Sequence, residues 1–261
     1  MNREDCAFDV IGLGNAIVDV VAETPDALLE QLDLAKGTMT LVDEERSKAL
    51  YDSMGPAVEI SGGSAANTMA GLAALGAEAA YIGKIRDDQL GAVFRHDIKA
   101  VGVSFDSLPL AEGPATARSL IFVTSDAQRT MATYLGACVE LGPDDVDEES
   151  VAGSKITYME GYLWDRPKAK EAFLKAAEIA HEAGRQVALS LSDPFCVDRW
   201  RAEFFDLIDG HVDIVIANEA EITSLFETDS FEDAVKKVTG QCSLAAITRG
   251  VSGSVIVTAD E

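Results

Sequence analysis

The sequence predicts an α/β protein built on a mostly parallel sheet, and three observations carry that prediction. Short apolar runs alternate with stretches of helical period along most of the 261 residues. Two stretches break that rhythm with period-two alternation instead. Several apolar runs end in Gly, Asn, Asp or Thr, at the place where open α/β sheets bind their ligands.

The elements follow in order. Phe8–Leu13 (FDVIGL) reads as a buried strand. Ser64–Leu75 reads as a helix of small residues, Ala79–Ile82 as a strand, and Asp88–Ala100 as a helix. Lys155–Met159 is a strand, and Lys168–Ala183 a helix stopped by Gly184. Gln186–Leu191 is a strand, Val197–Leu207 a helix, and Asp213–Ala217 a strand. Glu219–Phe226 and Phe231–Thr239 are helices, and Leu244–Thr248 is a strand. Gly253–Thr258 opens a further strand after a turn. The two exceptions, Ile17–Val42 and Val103–Leu135, carry segments such as TARSLIFV and RTMATYL. Such alternation predicts a small, half-exposed sheet projecting as a lid over the strand ends. The last two runs are followed by no helix, although a parallel sheet needs both faces covered. The sequence therefore reads as one domain over 1–261 whose C-terminal part is absent.

Composition narrows the function. Lys and Arg number 21 against 45 Asp and Glu, a formal charge of −24, with pI near 4.3. That balance argues against nucleic acid and against an anionic membrane surface as partners. An apolar content of 48% argues against a disordered chain. No apolar run is long enough to span a bilayer, and the start MNREDCAFDV lacks a signal core. Cys6, Cys138, Cys196 and Cys242 show no CxxC spacing, which suits reduced thiols and a cytoplasmic location. His96, His181 and His211 are isolated and read as solvated helix residues.

Four features carry chemistry. In Ile60-Ser-Gly-Gly-Ser-Ala-Ala-Asn67, a glycine pair precedes a helix start whose free N–H groups could meet a ligand's oxygens. Asn67 adds a donor and an acceptor. The same residues could equally form a tight turn with Ser64 as N-cap. In Gly12-Leu-Gly-Asn-Ala-Ile-Val-Asp19, a dinucleotide fingerprint begins, but Ile17 stands where its third glycine should be. The IVDVVAE that follows alternates like a strand, so the context of a pyrophosphate loop is absent. Asp19, alone in an apolar run, either caps a turn or binds a ligand hydroxyl. Asn218 and Glu221 have capping-box spacing, or hold Mg²⁺ through water. Thr248-Arg249-Gly250 offers a hydroxyl, a cation and a glycine to a phosphate.

Taken together and in this order, GLGNAIVD (12–19), SGGSAAN (61–67), GKIRDDQLG (83–91), NEAE (218–221) and TRG (248–250) resemble the ribokinase-like (PfkB) carbohydrate kinases. The resemblance covers essentially the whole chain. TYLGA, SDPFCV and IANEAE are most similar to the adenosine kinase branch. It implies a doubly wound three-layer α/β sheet with a β-sheet lid, and transfer of the ATP γ-phosphoryl group to a primary hydroxyl of a nucleoside or sugar. By that resemblance Asp19, Gly62, Gly63 and Asn67 grip the sugar, with Asn15 close by. Arg129 in the lid approaches the substrate or the transferring group. Asn218 and Glu221 organise Mg²⁺ and phosphates, Glu221 as the metal's residue, and Thr248 and Gly250 lie along ATP. Arg86 stands where the family has a glycine, which reads as a surface substitution. The family's Gly-Ala-Gly-Asp motif, with the catalytic base, is not in this sequence and is expected after Glu261. The printed chain is thus expected to be nearly inactive, since a general base is worth ~10²–10⁴-fold.

A non-catalytic sugar- or nucleoside-binding or regulatory protein is the alternative reading. A nucleotide-cofactor dehydrogenase is disfavoured by the missing glycine. Monomer and homodimer both remain open.

Overall fold

The computed structural model describes residues 6–258. The non-signal start over residues 1–5 and the closing Ala259–Glu261 lie outside that range.

The strands are β1 (Phe8–Leu13), β2 (Ile17–Glu23), β3 (Met39–Leu41), β4 (Val58–Gly62), β5 (Ala79–Ile82), β6 (Val103–Ser104), β7 (Ala117–Val123), β8 (Arg129–Tyr134), β9 (Ser154–Glu160), β10 (Gln186–Ser190), β11 (Ile214–Asn218), β12 (Leu244–Thr248) and β13 (Ser254–Thr258). The helices are α1 (Asp26–Gln31), α2 (Glu44–Ser53), α3 (Ser64–Ala74), α4 (Gln89–Ala100), α5 (Glu148–Ala152), α6 (Pro167–Glu182), α7 (Pro194–His211), α8 (Glu219–Leu225) and α9 (Phe231–Val238).

Eight strands form the main sheet, in the order β13-β12-β11-β10-β9-β1-β5-β6. All its pairings are parallel except β12 with β13. Because side chains alternate along a strand, the central strands feed two cores. Met159, Leu189 and Val215 join the small-residue face of α6 (Ala172, Phe173, Ala176) and residues of α7 to α9. Tyr158, Ala188 and Tyr81 face the other way, among Met69 of α3 and Phe94 and Ile98 of α4. There Tyr81, Phe94 and Phe105 pack with ring centroids 5.3 to 6.0 Å apart. Helices on both faces make the three layers that the resemblance implied.

The second sheet has the order β3-β8-β7-β2-β4. Strands β2, β3, β7 and β8 come from the two stretches expected to project. Strand β4 was not expected. In the sequence, Val58 and Glu59 belong to no predicted element and residues 60–62 fall at the glycine turn, yet Val58–Gly62 pairs antiparallel with β2. Conversely Val103–Ser104 sits on the edge of the main sheet beside β5, not in the lid. Helix α7 is longer than read, because Asp193 caps it by accepting the Phe195 N–H and Pro194 occupies its first position. No helix among the described residues is long and apolar enough to cross a membrane.

Candidate active site

Strand β1 runs through the core and delivers Gly14 and Asn15 at its C-terminal end, beside the start of α3. The N-cap of α3 is Gly63, which has no side chain to satisfy the first N–H groups, and Ser64 is the first helical residue. A carboxylate from a distant strand does that work. Glu160, at the end of β9 and 1% exposed, accepts the Ala65 N–H at 2.8 Å on Oε2. Its Oε1 accepts the Asn15 Nδ2–H at 2.7 Å and the Asn15 backbone N–H at 3.4 Å. Burial pushes the Glu160 carboxyl pKa up, and these three hydrogen bonds oppose that. One buried acid therefore ties the β1 exit to the glycine turn.

Asp19 stands in β2, paired with Ile60 of β4 and Ser119 of β7. A Cβ placed on Gly62 would lie 2.3 Å from the Asp19 carboxyl carbon. The carboxylate thus lies directly over the Gly62 backbone, at the mouth of α3. It accepts no hydrogen bond within the described residues, and burial alone raises its pKa to about 6. Asn67, one turn into α3, is exposed. Asp19, Gly62 and Gly63 meet at this corner, and the Asn67 N–H donates to the Gly63 carbonyl at 2.9 Å one turn along. Asn15 lies beneath it, with its amide N–H engaged by Glu160.

The two glycines serve different needs. Gly63 has φ +99°, and a Cβ there would meet the Asn15 carbonyl oxygen at 2.3 Å. We expect Gly63→Ala to cost about 2 kcal/mol of stability in urea denaturation. Gly62→Ala should instead fold well and lose ligand affinity, because it displaces the Asp19 carboxylate. Calorimetric titration separates the two.

A second group gathers three and four strands away, at the same end of the sheet. Asn218 pairs directly with Thr248 across β11 and β12. At ~4.8 Å per strand, β11 is roughly 14 Å from β1. The capping box is fully made. Glu221 N–H donates to Asn218 Oδ1 at 2.9 Å, and Asn218 N–H and Nδ2–H donate to the two Glu221 oxygens at 2.9 and 2.6 Å. Burial pushes the Glu221 carboxyl up, and the Asp193 charge adds to that. Glu221→Ala should lower stability by about 1 kcal/mol through the lost cap, again in urea denaturation. With both oxygens engaged, Glu221 fits Mg²⁺ only through the ion's water shell. No group of three or more potential metal ligands occurs among the described residues. Thr248 and Gly250 lie exposed beside Asn218. Arg249, the cation of that feature, is turned away: it pairs with Glu219 at 3.1 Å and covers the Phe231 ring at 3.8 Å.

A family model described as pfkB family carbohydrate kinase matches residues 40–261. The chain belongs to the pfkB family of carbohydrate kinases.

Among solved structures, an adenosine kinase from Sinorhizobium meliloti is 55% identical with a TM-score of 0.90, covering 98% of this chain and 78% of that one. A probable sugar kinase from Rhizobium etli is 53% identical with the same score and coverage. A 5-dehydro-2-deoxygluconokinase from Shouchella clausii is 28% identical over 97% of this chain and 73% of that protein. In this pfkB kinase the run after GLGN is strand β2, as read, so no dinucleotide helix starts there. Glu160 went unread. Its signal was the one that singled out Asp19, a lone acid at the end of an apolar run. Arg129 shares the Asp19 face of the second sheet, but four residues along β8 from Thr133, which pairs with Ser119. That is about 13 Å from the Asp19 row at ~3.3 Å per residue.

Proposed function

We propose that this pfkB kinase phosphorylates a primary hydroxyl of a nucleoside, adenosine-like, using ATP. The observation that carries the reading is the open face of the second sheet. Its registers align two rows across all five strands. One row is Ile60, Asp19, Ser119, Thr133 and Leu41. The next is Val58, Val21, Ile121, Met131 and Met39. The first row has three polar groups at its centre: the unpartnered Asp19 carboxylate, and Ser119 and Thr133, which are buried and hydrogen-bonded to each other at 2.9 Å. The second is apolar throughout, with Val58 61% and Met39 47% exposed. The opposite face is spent on packing. Val18, Val20, Leu120 and Phe122 are core, and Arg118 donates there to Ser47 of α2.

A polyol joined to a flat, weakly polar ring matches the two rows. A carboxylate accepts two ribose hydroxyls well, and apolar side chains cover a base. A sugar acid would require a cation near Asp19, and among the described strand residues that face offers only Arg129 at its far end. The identity to the adenosine kinase supports the same choice.

Asp19, the Gly62-Gly63 backbone and Asn67 bind and orient the sugar. Asn218, Thr248 and Gly250 lie along the ATP phosphates, three and four strands from β1. Mg²⁺, held through water by Glu221, supplies charge neutralisation when bound. The second sheet closes over the sugar and excludes water. The Gly-Ala-Gly-Asp motif assigned to proton transfer is not among these 261 residues, so binding is the direct test on this chain. Adenosine, ribose, fructose and a keto-sugar acid are titrated calorimetrically at pH 7.5. Saturable adenosine binding that exceeds the others is the expected result. Preference for the sugar acid would overturn the nucleoside reading.

A further inference from the structure

A cavity lies on the α4 side of the main domain, beside the loop that leaves β5 and four strands from the end of β11. It has a volume of about 360 Å³ and is walled by the loop at Ile85–Asp87, by α4 and by Pro109. Its charged lining is Arg86, Arg95, His96 and Lys99, against a single carboxylate, Asp87. That bias is unusual in a chain with 45 acids and 21 Lys and Arg.

The two guanidinium groups are not neutralised. Arg86 donates to the Gly113 carbonyl at 2.8 Å, and Arg95 to the Ser107 carbonyl at 3.1 Å. Neither makes an ion pair within the described residues. Those carbonyls hold the side chains in place while leaving both positive charges unpaired. Each guanidinium still has free N–H groups, in the planar geometry that suits a tetrahedral oxyanion. Lys99 follows Arg95 by four residues and so shares its helix face. It pairs with Asp106 at 2.9 Å, but both side chains are exposed, at 46% and 86%. Exposed pairs of this kind are weak enough to yield to a stronger anion. His96 contacts Asp97 at 3.1 Å on the outer rim.

We infer that this cavity is a binding site for a phosphoryl dianion, held by Arg86, Arg95 and Lys99. It is distinct from the phosphate-facing ends of β11 and β12. Free phosphate and a phosphate monoester present the same dianion. The concave shape and the size admit either, and pockets of this volume hold small molecules. The inference stands apart from the nucleoside reading, because it uses none of the same residues.

The test titrates inorganic phosphate, ribose 5-phosphate and ribose into the whole chain, at constant ionic strength set with NaCl. Saturable binding of phosphate or ribose 5-phosphate is expected, with protection of Lys99 from labelling by either one and none by ribose. Whichever of the two binds more tightly identifies the source of the dianion. The double variant Arg86→Gln/Arg95→Gln should weaken that binding at least tenfold. Lys237→Gln, a surface control, should leave it unchanged. A labelling measurement runs in parallel: phosphate should slow amine-reagent labelling of Lys99 in the wild-type chain, with Lys237 as the internal reference. Lys99 labelling that phosphate leaves unaltered in the wild type, or phosphate protection of Lys99 that persists undiminished in the double variant, would overturn the site.

Discussion

Asp19→Asn should bind adenosine ~100-fold or more weakly than the wild type, while folding more stably at pH 8. The two effects share one cause. The carboxylate is half-buried over Gly62 with no donor facing it, so the protein bears its desolvation until a ligand's hydroxyls arrive. Hydrogen bonds to a charged group are worth about 1.5–3 kcal/mol each, so losing two costs the affinity stated. ATP affinity should not change, because the residues proposed to bind it sit three and four strands from β1. For stability the sign follows from a raised carboxyl pKa. The folded value is about 6 against an ordinary 3.8. As pH rises from about 4 to 6 the unfolded chain gives up this proton first, so wild-type stability falls over that window and is flat above it. The shift is roughly two units, about 3 kcal/mol at full burial. Solvent screening reduces that to about 1–2 kcal/mol. Asn carries no such penalty. Urea denaturation of both proteins at pH 4 and pH 8 checks this: the two curves should converge at the lower pH. A variant no more stable than wild type at pH 8 would show that the carboxylate is partnered in the apo protein.

Glu160→Gln should lose about 2–3 kcal/mol of stability and weaken adenosine binding at least ~10-fold. Glu160 accepts from three N–H groups on its two oxygens. Glutamine replaces one oxygen with an NH₂, so a donor then faces a donor in a site that water cannot reach. The loss falls on the Asn15 contact or on the start of α3, and either one moves the Gly62-Gly63 turn that Asp19 sits against. Glu160 touches no ligand in this reading, so it is a positioning residue. Denaturation and titration together test it. Unchanged adenosine affinity in a destabilised variant would reduce Glu160 to a structural cap.

Much of the architecture was legible because its signals are local. Apolar run length, glycine stops and N-cap residues placed seven of the eight main-sheet strands and six of the nine described helices within a few residues. Helices α2 and α5 are not in that reading, and α1 interrupts the stretch 17–42 read as lid sheet. The capping box at Asn218 and Glu221 needed only a spacing of three. The errors arose where the answer depended on a distant partner. Val58–Gly62 became a strand because β2 offers it an edge. Val103–Ser104 left the lid because β5 offers one in the main sheet. Arg249, read as suiting a phosphate, was claimed by Glu219, thirty residues earlier.

The sequence by itself determined the layered α/β class, the family and the residue types available for binding a sugar. Tertiary structure decided how those residues are used. It set Asp19 on the Gly62 backbone, brought Glu160 across 95 residues to cap Ala65, and aligned an apolar row beside a polar one across five strands. The physical reason is that backbone propensity and hydrophobic period act over a few residues. The partner of a buried charge and the register of a sheet are fixed only when separate segments share one low-dielectric interior.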